Sequence, residues 1–186
     1  MKLLNLQKKY EGHYLSYYIA EYLNNDNNIK LYEFTSRNKN LTIDNFGKYV
    51  PCGVGIVPFS INKDKVLLQR EFRMACNQWV YNFPTGLIDE GETPESAIKR
   101  ELYEETGVEL VQIDKVLPIS YASAPITDEA IILMIGRAQG EIKESSSADE
   151  EIIAKWYTKE EIEELFNNNT LMSIRTQIIL YNWISK

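Results

Sequence analysis

A chain of 186 residues, 25% charged and 44% hydrophobic, has the size and balance of one globular domain with a modest extension. A net charge of −7 leaves no basic stripe to meet a phosphate backbone, which argues against nucleic acid as a non-specific partner. The apolar run Ala130–Ile135 is too short to cross a bilayer, Met1–Tyr10 lacks the apolar core of a signal peptide, and Cys52 and Cys76 form no metal or redox spacing, so a soluble protein of the reducing cytoplasm is expected, with no membrane partner.

In chain order, Tyr14–Leu23 reads as a strand, Asn24–Asn28 as a turn and Ile29–Ser36 as a second strand, together a hairpin. Its tyrosines Tyr14, Tyr17, Tyr18, Tyr22 and Tyr32 exceed what a hairpin can hide, so they pack either on the main domain or on a partner subunit. His13, without a companion, reads as a surface or core residue rather than a ligand. A strand is expected after Pro51 within Val50–Ser60, a turn at Asn62–Asp64, and a returning strand over Lys65–Phe72. Arg70 and Arg73 are either surface ion-pair partners or phosphate clamps, for which arginine's planar fork is suited. Trp79–Phe83 is a third strand, and Trp79 suits either a core or a base-stacking platform.

The segment from Gly86 to Val108 is a loop entering a helix. Thr93 is a good N-cap, Pro94 sits where its missing N–H costs nothing, and Gly107 ends the helix. Ala97, Ile98 and Leu102 fall at helical spacing and can pack inward. Glu101, Glu104 and Glu105 then share one face, where like charges repel. Seven acids lie between Asp89 and Glu105, against only Lys99 and Arg100. Such a cluster is either a solvated acidic face or a seat for hard divalent cations, and magnesium there points towards phosphate chemistry.

Beyond the helix, Leu110–Tyr121 contains strand-like residues, Ala122–Asp128 is a loop and Glu129–Arg137 an apolar strand. The polar loop Gly140–Glu151, with its Ser145-Ser-Ser-Ala run, reads as mobile. Ile152–Tyr157 is a final strand, and Thr158 with Glu161 forms a capping box for a helix. After Asn167-Asn-Asn, Thr170 opens a last helix whose stripe Leu171, Ile174, Ile178 and Tyr181 is expected to be core. This order describes an α+β, layered domain.

Gly86, Glu92, Arg100, Glu101, Leu102, Glu104, Glu105, Gly107 and Val108 match every fixed position of the Nudix box, and on these residues the chain resembles the Nudix hydrolases. The resemblance implies a mixed β-sheet sandwiched between helices, with an N-terminal β-hairpin extension over residues 1–45 and a Nudix domain over 46–186. It implies metal ligation by Glu101, Glu104, Glu105 and the backbone at Thr85 and Gly86, with Arg100 orienting the glutamates and Glu92 as its partner. Magnesium is the implied cofactor, with manganese as the alternative. Trp79-Val-Tyr-Asn-Phe-Pro-Thr-Gly86 and Arg70-Glu-Phe-Arg73 are similar to segments of the ADP-ribose pyrophosphatase branch, with Glu71 where glutamine is usual. Leu31–Arg37 and Ser123–Glu129 resemble that branch's second hairpin strand and substrate loop. Arg37, Arg70, Arg73, Trp79 and Glu129 are therefore expected to bind substrate.

Asp149-Glu150-Glu151 is similar to the acidic loop that supplies a catalytic base, with Glu150 preferred and Glu151 second. Ala148 falls where some relatives have a glutamate. The departures are Asn82 for glutamate, Thr85 for alanine, and Ala124-Pro125 for Pro-Gly, the last of which bears on the substrate. The implied activity is magnesium-dependent hydrolysis of a nucleoside diphosphate sugar, ADP-ribose first, by a homodimer acting on a small-molecule nucleotide. The alternatives are a Nudix hydrolase of another nucleotide and a non-catalytic nucleotide-sensing module, which would typically have lost box glutamates.

Overall fold

The computed structural model describes residues 1–48, 50–145 and 149–186. Among the described residues, eleven strands and three helices follow in the order β1 (Lys2–Glu11), β2 (Ser16–Leu23), β3 (Ile29–Ser36), β4 (Gly53–Phe59), β5 (Val66–Arg73), β6 (Gln78–Asn82), β7 (Thr85–Leu87), α1 (Pro94–Thr106), β8 (Glu109–Val116), β9 (Ser120–Tyr121), β10 (Ala130–Gln139), β11 (Ile152–Tyr157), α2 (Lys159–Asn167) and α3 (Ile174–Ile184). Ala148 and part of the Ser145-Ser-Ser-Ala run lie outside the described residues. The chain divides into two compact units, residues 1–52 with 119–131, and residues 53–118 with 132–186.

In the first unit β1, β2 and β3 form a three-stranded antiparallel sheet. The hairpin of β2 and β3 turns through Asn24–Asn28, where the Asn24 side chain accepts from the backbone of Asp26 and Asn28 and Asn27 adopts φ 61°. The sequence shows no clear strand pattern for β1, because its run of lysines and its two register irregularities break the alternation. Tyr18 is buried and stacks on Phe34, which stacks in turn on Phe46. Tyr22 packs against that cluster, while Tyr14 and Tyr32 are exposed. By their contacts, residues 46–52 and 119–131 group with this unit. Ser36 donates to Asp128 at 3.0 Å, and the Thr35 N–H donates to Ile126 O at 2.9 Å.

The second unit is built on a mixed sheet with the path β11-β5-β4-β10-β8, where β6 pairs with β5 and β7 with β4. Both faces of this sheet are covered, so β4 is buried along nearly its whole length rather than alternating with polar residues. Val54, Ile56, Leu67 and Met134 face Ala97, Ile98 and Leu102 of α1. Val57, Val66, Leu68 and Leu133 face the opposite way, against Ile162 of α2 and Leu180 of α3. On β5 this fixes the parity: odd-numbered residues face α1 and even-numbered ones face α2 and α3.

The last helix corrects an expectation. Leu171, Ile174, Ile178 and Tyr181 are not core but 55%, 69%, 63% and 65% exposed. Thr176 and Leu180 are the buried positions, with Ile179, Trp183 and Ile184 packed beside them. The helix is apolar nearly all round, so periodicity alone could not choose its inner face. It also starts later than Thr170, at a Ser173 cap. Residues before the cap satisfy the edge of β6 instead: Tyr81 N–H donates to Leu171 O at 2.9 Å and Ser173 N–H to Tyr81 O at 3.1 Å.

Candidate active site

The site lies within the second unit and starts from α1. Thr93 and Ser96 form a reciprocal capping box, Pro94 opens the first turn, and Gly107 closes the helix with φ 73°. Because Ala97, Ile98 and Leu102 are drawn into the core, the helix is fixed in rotation and its glutamate face is fixed with it.

Arg100 organises that face. Its Nε and Nη2 donate to the two oxygens of Glu92 at 3.1 and 2.9 Å, a bidentate pair, and Nη2 also donates to Leu87 O at 3.0 Å. Nη1 donates to Glu101 at 2.9 Å and to Glu104 at 3.2 Å. One guanidinium thus ties the loop before the helix to two carboxylates on it. The Glu92 carboxyl is held below its usual pKa chiefly by Arg100, and Arg100 is held protonated more firmly than usual chiefly by Glu92.

Gly86, on β7, accommodates Glu101. A Cβ at position 86 would lie 1.9 Å from Glu101 Cδ and about as close to both carboxylate oxygens. We expect Gly86→Ala to displace Glu101 and to lower stability by about 1–3 kcal/mol, the usual cost of overpacking. A denaturant midpoint equal to wild type would show that the contact relaxes freely.

Glu105 is 6% exposed, and its Oε2 has no hydrogen-bond partner. Burial pushes its pKa well above the ordinary carboxylate value, and the charges of Glu101, Glu71 and Glu150 add to this. Glu101 is raised in the same way, first by burial and against the pull of Arg100, with Glu104 and Glu150 pushing it further up. Within Asp149-Glu150-Glu151, the Glu150 charge acts on both of these carboxylates. Glu151 is exposed, and its carbonyl accepts from Phe72 N–H at 3.0 Å.

Hard cations suit this donor set, which is all oxygen, and a cation would relieve both the mutual repulsion and the unpartnered Glu105 Oε2. Glu101, Glu104 and Glu105, with backbone carbonyls of Thr85 and Gly86 on the adjoining strand, are the groups that could hold one. Among the described residues no three acidic, histidine or cysteine side chains already surround one point. Glu101 and Glu104 are instead held by Arg100, with which a cation would compete.

The two candidate clamps do not stand together. Arg73 faces α1, with Nη2 2.9 Å from Glu71 Oε2, whereas Arg70 is on the reverse face, 4.8 Å over the Trp79 ring. Trp79 also meets Phe72 edge-on. Arg37 and Glu129 belong to the first unit, paired at 3.2 Å and lining a cavity of about 1050 Å³ with Tyr22, Tyr32, Phe34 and Tyr121. The residues that the sequence reading left without a role are Gln69 and Glu71. Both are buried on the α1 face of β5, and the available signal was their parity with Leu67.

A helix that aims three glutamates at a sheet, with an arginine holding them and a glycine making room, defines a box of the diphosphate-hydrolase kind. The NUDIX domain pattern matches residues 51–175, and the chain belongs to the NUDIX family. It is 28% identical over 102 residues to a methanol dehydrogenase activator of Bacillus methanolicus, covering 54% of each. It is 27% identical over 90 residues to an ADP-ribose pyrophosphatase of Bacillus subtilis, covering 48% of each. It is 39% identical over 57 residues to an ADP-sugar pyrophosphatase of Mus musculus, covering 29% of this chain and 26% of that one. These matches span about half the length of the curated relatives or less. A crystal structure of an ADP compounds hydrolase superposes with a TM-score of 0.68 at 18% identity, covering 89% of this chain and 82% of that one, and so shares the fold.

Proposed function

We propose that the protein hydrolyses the diphosphate bond of a nucleoside diphosphate sugar with magnesium, ADP-ribose first, giving AMP and ribose 5-phosphate. The observation that carries this reading is the buried Glu105, whose Oε2 accepts no hydrogen bond, on a face shared with Glu101 and Glu104 and under the charge of Glu150. Relatives named for ADP-ribose and ADP-sugar hydrolysis support this substrate class.

Divalent cations, when bound, offset the charge of the diphosphate and make an attacking water more acidic. Glu101, Glu104 and Glu105 would hold them, with Thr85 and Gly86 contributing backbone oxygens, and manganese could replace magnesium. Arg100 keeps the glutamates aligned while it stays bound to Glu92. Glu150 takes the proton of the attacking water as the water oxygen bonds to phosphorus and the bridging P–O bond breaks; Glu151 is the second choice. Arg73 is on the face where phosphate would lie, and Arg70 with Trp79 offers a stacked platform on the reverse face. Arg37 and Glu129 take part in substrate binding, on the strength of the resemblance and of the cavity they line. A panel of nucleotides assayed with magnesium tests the reading. ADP-ribose is expected to show the highest kcat/KM, and a clear preference for a nucleoside triphosphate or dinucleoside polyphosphate would replace it with another member of the family.

We also propose a cytoplasmic homodimer in which the Tyr14–Ser36 hairpin meets a second copy. The two free thiols suit a reducing compartment. Tyr14, Ile29, Leu31 and Tyr32 of the hairpin are exposed, more apolar surface than a sheet edge normally shows to water. Sedimentation at micromolar concentration should give twice the 21.6 kDa chain mass, and a monomer alone would end this proposal.

A further inference from the structure

One carboxylate of the site stands outside the box. On β5 the α1 face runs Leu67, Gln69, Glu71, Arg73. Leu67 is core, Arg73 reaches solvent, and between them two polar side chains are buried, Gln69 at 0% exposure and Glu71 at 6%. Neither end of the Gln69 amide has a hydrogen-bond partner, although it lies near enough to Glu105 and Glu71 to favour the charged form of each. Glu71 has Arg73 within ion-pair distance at 2.9 Å, yet its Oε2 accepts no hydrogen bond of good geometry. Asn82, the cross-strand neighbour of Gln69, is buried beside them.

A buried carboxamide and two buried carboxylates, all incompletely paired, are costly as a purely structural cluster. Arginine alone does not complete it. Gln69 Oε1 and Glu105 Oε2, which accept no hydrogen bond, and Glu71 Oε2, which is held by the Arg73 ion pair alone, are the donor type that a hard cation takes. We infer that Glu71 is a further divalent-cation ligand of this site, supplied by β5 opposite Glu105 beside Gln69, and that Arg73 is the counter-charge the cation displaces. The inference rests on the metal-dependent reading of the site. It adds a protein ligand from the sheet to those from the helix, and it gives Arg73 a release step: freed from Glu71, its guanidinium becomes available to phosphate.

The test is a Mn2+ titration of the intact protein, with free Mn2+ followed by its electron paramagnetic resonance signal and no substrate present. Glu71→Gln keeps the shape and removes the charge, and should weaken Mn2+ binding at least about tenfold. Arg73→Gln should act in the opposite direction and tighten it, because the competing cation is gone. A pair acting on the cation only through its field would shift the affinity in the same two directions but by well under this tenfold. Wild-type Mn2+ affinity in Glu71→Gln, with weakened binding in Glu105→Gln, would remove Glu71 from the site and leave the helix ligands in place. Wild-type affinity in Glu105→Gln as well would overturn the metal reading itself. Should Glu71→Gln not fold, Arg73→Gln decides: binding no tighter than wild type contradicts the inference.

Discussion

Glu105→Gln is expected to lower kcat/KM on the order of a thousandfold, about 4 kcal/mol, while leaving the protein at least as stable in chelator as wild type. The two halves of this expectation have one cause. Glu105 is buried with an unpartnered oxygen, so in the absence of a cation its charge costs solvation without a compensating bond. A neutral amide of the same shape removes that cost and also removes the ligand. Glu104→Gln should lose turnover similarly, although its carboxylate is half exposed and held by Arg100. Near wild-type rates in both variants at saturating magnesium would remove the helix glutamates from the chemistry.

The second large effect is expected at Glu150. Glu150→Gln should lower kcat by about a hundredfold, with magnesium affinity little changed, as for a lost general base. Glu150 is preferred over Glu151 because its charge acts on Glu71, Glu101 and Glu105, although both residues are exposed; the Glu151 carbonyl is bound to the Phe72 amide. Full kcat in Glu150→Gln together with loss in Glu151→Gln would move the base by one residue. Full kcat in both would place the base elsewhere.

Where local chemistry decides the backbone, the sequence was readable. Thr93, Pro94 and Gly107 announce α1, Thr158 and Glu161 announce α2, and Ile152–Tyr157 appears as a strand with the bounds expected. The three glutamates on one face of α1 follow from helical spacing alone. What failed depends on the rest of the molecule. α3 carries apolar residues on all sides, and only packing against the sheet could select Leu180 over Ile178. β1 is a polar strand held by its neighbour, with little pattern of its own.

The β5 residues are a different case, because part of the answer was present in the spacing. Arg70 and Arg73 are three apart on a strand, so a period of two puts them on opposite faces and argues against one paired clamp. Glu71 shares its face with Leu67, but that this face is the α1 face becomes visible only once Leu67 is placed in the core. Arg37 and Glu129 are distant in sequence, and their ion pair depends on the return of residues 119–131 to the N-terminal unit.

The most direct measurement is ADP-ribose turnover by the wild-type protein as magnesium is titrated from chelated to saturating. AMP and ribose 5-phosphate should appear in equal amounts, the rate should vanish in EDTA, and magnesium should restore it. Turnover that persists unchanged in EDTA, or that is absent at every magnesium concentration, would contradict the account.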